Sequence, residues 1–223
     1  MTGDMTITII LGALKVLAFV PAIVIHECAH GFAAYKLGDP TAKGSGRLSL
    51  NPLHHVDPFG TVLLPGLLIL SNAGFVFGYA KPVPYNPRYF KDIRKGEVIV
   101  GLAGPASNIV MSLFGAAIAW GSLSLLGAST ELALYVWYFG CYFCSVNLCL
   151  AFFNLLPIPP LDGSSIVAPL LSDRALAVYY KVQQYGMFIL MFFVFLPFFL
   201  PQLDLLGWYL QATAGNLAGL MLP

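Results

Sequence analysis

The sequence predicts an all-α polytopic membrane protein with about five to six membrane segments, one of them re-entrant, and a short β-hairpin close to its polar residues. Three observations predict this. Hydrophobic residues make up 58% of the chain and charged residues 9%, with a mean hydropathy of +0.80, whereas a soluble domain carries about a quarter charged residues. Long apolar runs recur along the chain, and about 20 such residues cross a bilayer core of about 30 Å. The stretches between them collect the basic residues, prolines and glycines. With 223 residues, the chain reads as one membrane-embedded domain, 1–223, with a core over about 5–165 and C-terminal membrane helices over about 175–222.

The first apolar run covers about 7–35 and is interrupted only by Lys15, His26, Glu27 and His30. No basic stretch precedes it, so it reads as a retained span rather than a cleaved leader. Residues 36–58 are polar, and the alternation Arg47-Leu48-Ser49-Leu50 after Gly44-Ser45-Gly46 predicts a strand or hairpin. Residues 60–77 are apolar but few for a crossing, and Pro65-Gly66 breaks them, which suggests a segment that enters and returns. The next stretch, 78–97, holds Pro82, Pro84 and Pro87 and five basic residues, and reads as an extended loop. Apolar runs then follow at about 98–126, 132–157 and 182–200, with a weaker one at 203–222.

Basic residues crowd the loops at 36–47 (Lys36, Lys43, Arg47) and 81–95 (Lys81, Arg88, Lys91, Arg94, Lys95), which places both in the cytoplasm. If both lie there, 60–77 cannot cross. Residues 98–126 then exit and 132–157 return, so residue 162 arrives on the same side as residues 26–30 at the end of the first span.

Composition also excludes function classes. The net charge of +1 leaves no basic face for a polyanion, so nucleic acid is not a partner. The cysteines Cys28, Cys141, Cys144 and Cys149 all lie in apolar runs, which suits small buried residues better than a disulfide scaffold or a redox pair.

His26-Glu27-Cys28-Ala29-His30 is an H-E-x-x-H motif. On a helix, positions i and i+4 share a face, so both imidazoles reach one metal, and the glutamate beside the first ligand is placed to act on water instead. With four histidines in the chain, a chance match is expected on the order of one time in a thousand. Ionisable groups inside a span are costly, which marks them as functional. Two imidazoles, a third protein ligand and an open position form the catalytic zinc pattern. The acidic candidates for the third ligand reduce to Asp57 and Asp162. Asp162 is favoured, because it follows the unwound, proline-rich stretch 154–161, and non-helical backbone at membrane depth is tolerated where it lines a cavity.

Taken with that motif, Gly104-Pro105-Ala106-Ser107-Asn108 and the element Asn154…Leu161-Asp162-Gly163 resemble the site-2 protease family of intramembrane zinc metalloproteases. Asn51-Pro52…His55-Val56-Asp57-Pro58-Phe59-Gly60 and Ala80-Lys81-Pro82-Val83-Pro84 resemble its compact bacterial and archaeal members. The likeness runs from about residue 20 to 165. It implies one zinc per chain held by His26, His30 and Asp162, with Glu27 as catalytic base and Asn154 stabilising the oxyanion. It further implies a multi-pass protein of the cell membrane with its active site towards the cytoplasm and a single-span membrane protein as substrate. Gly163-Ser164 departs mildly from the family's small-residue pair, and no room is left for the PDZ or CBS domains of larger members. Two other readings compete: a zinc-dependent membrane transporter or non-hydrolytic scaffold, against which Glu27 argues, and a membrane protease that cuts only soluble loops. The sequence leaves the oligomeric state open.

Overall fold

The computed structural model describes residues 2–63, 80–126 and 130–223. The first run forms a single helix, α1 (Thr2–Lys36), of 35 residues. Gly38 ends it: with φ of +104° it adopts the left-handed conformation that glycine tolerates best. There Gly38 N–H bonds Tyr35 O at 3.1 Å and Asp39 N–H bonds Ala34 O at 3.0 Å, the paired bonds of a Schellman stop. A four-residue helix, α2 (Thr41–Gly44), follows.

Two long helices come next, α3 (Ile93–Leu126) and α4 (Glu131–Asn154). Glycine brings their backbones together. A Cβ at Gly115 would lie 2.5 Å from Cys144 N, and one at Gly140 would lie 2.6 Å from Ala119 N. Small residues at such contacts are how membrane helices gain van der Waals packing without a hydrophobic drive between them. Beyond this seam, Ala116, Cys144 and Leu148 form an apolar cluster with Ala214 and Ala218 from the C-terminal end.

After α4 the chain unwinds through 155–161, then forms α5 (Asp162–Val167), α6 (Asp173–Gln183) and α7 (Gly186–Phe199). The C-terminal part is helical over α8 (Leu205–Leu210), a π-helical turn (Gln211–Gly215) and α9 (Asn216–Met221). Trp120 Nε1 donates to Met221 O at 2.9 Å and Tyr209 Oη to Phe152 O at 3.0 Å, which fastens this part to α3 and α4. None of the four cysteines is in a disulfide; Cys144 is buried, Cys28 and Cys141 are partly buried, and Cys149 is exposed.

The expected five to six membrane segments are not all present among the described residues. Met5–Lys36, Ile93–Leu125 and Glu131–Asn154 are long and apolar enough to cross, and α6 with α7 adds a fourth only as one span bent by 63°. The 182–200 run is shortened because the break between α6 and α7 falls inside it. The 203–222 run yields about 17 helical residues, or about 26 Å, less than the hydrocarbon thickness. Most of the expected re-entrant element, 60–77, lies outside the described residues.

The hairpin expected near residues 44–50 is corrected: no strand occurs among the described residues. Ser45 and Gly46 form a turn, and Arg47 spends its side chain on the carbonyls of Lys81 and Pro82, at 2.5 and 3.2 Å. Residues 80–84 run beside this segment, but Pro82 and Pro84 have no N–H to donate to a ladder.

Candidate metal centre

The side chains singled out from sequence converge where α1, α3 and α5 meet. His26 and His30, one turn apart on α1, present their Nε2 atoms 3.1 Å from each other. Asp162, the first residue of α5, brings Oδ2 to 3.1 Å from the first and 3.3 Å from the second. His26 and His30 are buried. This is the one such cluster of potential metal ligands among the described residues.

Close neighbours fix the position of each group. Gly104 of α3 leaves the space the imidazoles fill: a Cβ there would stand 2.3 Å from His30 Nε2 and 2.6 Å from His26 Cε1. Gly163 lets α5 settle onto the end of α4, since its Cβ would meet the carbonyls of Leu155 and Leu156 at 2.3 and 2.4 Å. His30 Nδ1 lies 2.7 Å from Val100 O, and His26 Nδ1 lies 2.5 Å from Asn108 Oδ1. The Asn108 amide is oriented by its other bonds. Its Nδ2 donates to Asn147 Oδ1 at 2.8 Å and to Ala22 O at 3.3 Å, while Asn147 Nδ2 donates to Phe143 O at 2.8 Å.

These partners decide the tautomers. Both Nδ1 atoms face acceptors and carry the proton, so in the neutral imidazoles a metal ligand requires, both Nε2 atoms are bare lone pairs. Asp162 Oδ2, buried and without a donor, points at the same spot. Three acceptors with no proton among them, 3.1–3.3 Å apart, repel one another unless a cation lies between them. Ligand atoms about 2.0–2.2 Å from a tetrahedral zinc stand about 3.3–3.6 Å from each other, close to the spacing found. The donor set, two imidazoles and a carboxylate, is also that of hydrolytic zinc sites. The residues fit the metal.

A cavity of about 530 Å³ opens beside the cluster, lined among others by Glu27, Val83, Tyr85, Asn154, Asp162 and Leu190. Glu27 Oε2 accepts the Val83 N–H at 3.1 Å. Asn154 also borders it, with Nδ2 donating to Leu150 O at 3.0 Å. Burial raises the Tyr85 hydroxyl above its ordinary value; the charge of Glu97 adds to the rise, and a hydrogen bond with Ser165 opposes it.

Asp57, the weaker candidate for third ligand, is outside the cluster, and its Oδ1 accepts the Gly60 N–H at 2.6 Å. His54 is exposed and His55 buried; His55 Nε2 faces Ser49 O at 2.8 Å. Neither joins the cluster. Asn108 holding His26 was not foreseen. The sequence signal for it was its place in the Gly104–Asn108 motif.

Comparison with known proteins gives the family. Residues 121–197 match peptidase family M50. The protein named "Putative zinc metalloprotease YwhC" of Bacillus subtilis (strain 168) is 40% identical over 195 residues, covering 84% of this chain and 80% of that protein. The chain belongs to peptidase family M50. A second relative, "Putative zinc metalloprotease Rip2" of Mycolicibacterium smegmatis (strain ATCC 700084 / mc(2)155), is 30% identical over 186 residues, covering 82% of this chain and 67% of that protein. No solved structure matches. As an M50 peptidase, the chain is a zinc metalloprotease of the site-2 protease type, and its apolar helices place it in a membrane. The transporter reading falls with that membership.

Proposed function

We propose that this M50 peptidase hydrolyses a peptide bond within or next to the transmembrane helix of a single-span membrane protein. In this reading it is a multi-pass protein of the cell membrane whose active site faces the cytoplasm. The observation that carries the proposal is the convergence of His26 Nε2, His30 Nε2 and Asp162 Oδ2 beside a cavity that Glu27 also lines. His26 and His30 lie ten and six residues before Lys36, about 15 and 9 Å along α1, which supports a site below the membrane surface.

His26, His30 and Asp162 hold the zinc. When bound, zinc supplies a Lewis acid that polarises a carbonyl oxygen and makes water acidic enough to attack at neutral pH. Glu27 takes the proton from the attacking water and delivers it to the leaving amine. Asn154 keeps a second amide N–H beyond the one given to Leu150, and donates it to the oxygen on which charge develops. Asn108 and Val100 hold the imidazoles in the tautomer that leaves Nε2 free for metal. A peptide bond inside an intact helix is shielded, so the substrate unwinds locally before it reaches Glu27.

The test uses the purified chain in liposomes, with zinc measured per chain. The probe is a doubly tagged single-span protein whose polyleucine helix carries a central Gly-Gly pair, which weakens the helix by about 1 kcal/mol per glycine. Chelator-sensitive cleavage at or near the pair is expected. Cleavage confined to the soluble tags would sink the intramembrane reading and favour a protease of exposed loops.

A further inference from the structure

We infer that Arg47 is a positioning residue for the catalytic carboxylate, acting on Glu27 through the backbone of residues 81–83. The inference rests on the assignment of Glu27 as proton acceptor. Pro82-Val83-Pro84 contains a single backbone N–H, because proline has none, and that N–H is given to Glu27 Oε2 at 3.1 Å. A carboxylate with one oxygen held by a backbone donor presents the other in a fixed direction, which proton transfer requires.

The donor must itself be held. The Arg47 guanidinium, buried with 8% exposed, donates from Nη2 to Lys81 O at 2.5 Å and to Pro82 O at 3.2 Å. The Pro82 carbonyl belongs to the same peptide unit as the Val83 N–H, so the arginine grips one end of that unit and Glu27 the other. On one side, Lys81 N–H bonds His55 O at 2.9 Å; on the other, Asn86 N–H bonds Asp39 Oδ2 at 2.6 Å. The Val83 side chain is buried, and with Leu48 it fills the space left by Gly31 on α1, one turn past Glu27. This buried arginine donates to two carbonyls of one extended segment and forms no ion pair among the described residues. Its effect is to fix where that segment stands.

The experiment compares wild type, R47A, R47K and V83P in liposomes, with the Gly-Gly single-span probe. The readouts are kcat and KM, zinc per chain, and amide hydrogen exchange over residues 80–86. For R47A we expect kcat to fall ten- to a hundredfold with KM within twofold, zinc near one per chain, and faster exchange over 80–86. R47K reaches the carbonyls less well, by about one bond length, and recovers part of kcat. V83P removes the N–H while leaving Arg47 in place, and lowers kcat to a similar degree with zinc retained; it decides the matter if R47A does not fold. The inference is overturned if kcat stays within twofold in V83P, if KM rises while kcat holds, or if zinc is lost in R47A and V83P alike. Retained hydrolysis in E27Q would instead overturn the role of Glu27, and is read separately from either result.

Discussion

At the scale of single residues, the assignment of roles around the zinc separates those that hold it from those that act on water. Glu27→Gln is expected to abolish cleavage of the single-span probe while zinc stays near one per chain, by elemental analysis of the purified protein. Loss of zinc in that variant would make Glu27 a ligand. His26→Ala, His30→Ala and Asp162→Ala should each strip the metal, and Asp57→Ala should not; the reverse pattern for the two aspartates would overturn the choice of third ligand. Asn108→Leu leaves His26 Nδ1 without its acceptor, and zinc affinity should drop about 10- to 100-fold in a competition titration. The pairing of His26 with His30 was legible because helical spacing is a local property. Asn108 was less so: it pairs with a residue 82 positions away, and sequence spacing says nothing about which helices meet.

Among the elements, α3 reaches the site at a glycine. Gly104→Ala places a methyl group against two imidazoles that their Nδ1 partners prevent from rotating away, so zinc occupancy should fall below half although no ligand is altered. Normal occupancy would mean that α3 can shift, and that the close approach is not obligatory. A different lock holds the two loops together. Asp39, fully buried, accepts from the backbone N–H and the hydroxyl of Thr41 and from the Asn86 N–H. Burial would raise its carboxyl, but these hydrogen bonds outweigh it and leave it below the usual aspartate range. A depressed folded-state value means stability that is present above about pH 4 and lost as pH falls through the folded value. The melting temperature of wild type should therefore exceed that of Asp39→Asn at pH 6, and the gap should shrink towards pH 3. A gap independent of pH would assign the difference to shape rather than charge. The alternation in Arg47-Leu48-Ser49-Leu50 misled for a related reason. Arg47 is buried on the carbonyls of Lys81 and Pro82 and its neighbour Leu48 packs at Gly31 of α1, while Leu50 is exposed, so the alternation of residue types follows docking onto two separate elements and not the two faces of a strand.

For the whole molecule, the proposed function specifies which way the site faces. The proposed orientation, argued from the basic loops and from the need for Asp162 to meet His26 and His30, predicts that residues 36–58, 81–95 and 158–175 face the cytoplasm and that 60–77 does not cross. Single cysteines at positions 45, 92 and 172, in a background lacking the four native ones, should resist an impermeant thiol reagent in intact cells and label once the inner face is opened. Labelling of position 92 from outside, with 45 protected, would show that 60–77 crosses. Apolar runs identified the three long helices from composition alone. They did not foresee the bend between α6 and α7, because hydropathy counts residues and does not register direction. The ligand set also has an order in time. His30, the later of the two histidines, leaves the ribosome 132 residues before Asp162, which at about 5–20 residues per second is an interval of about 7–26 s. For that interval each new chain carries two of the three ligands proposed for its metal, so on that proposal hydrolysis begins only after three of its long helices are made.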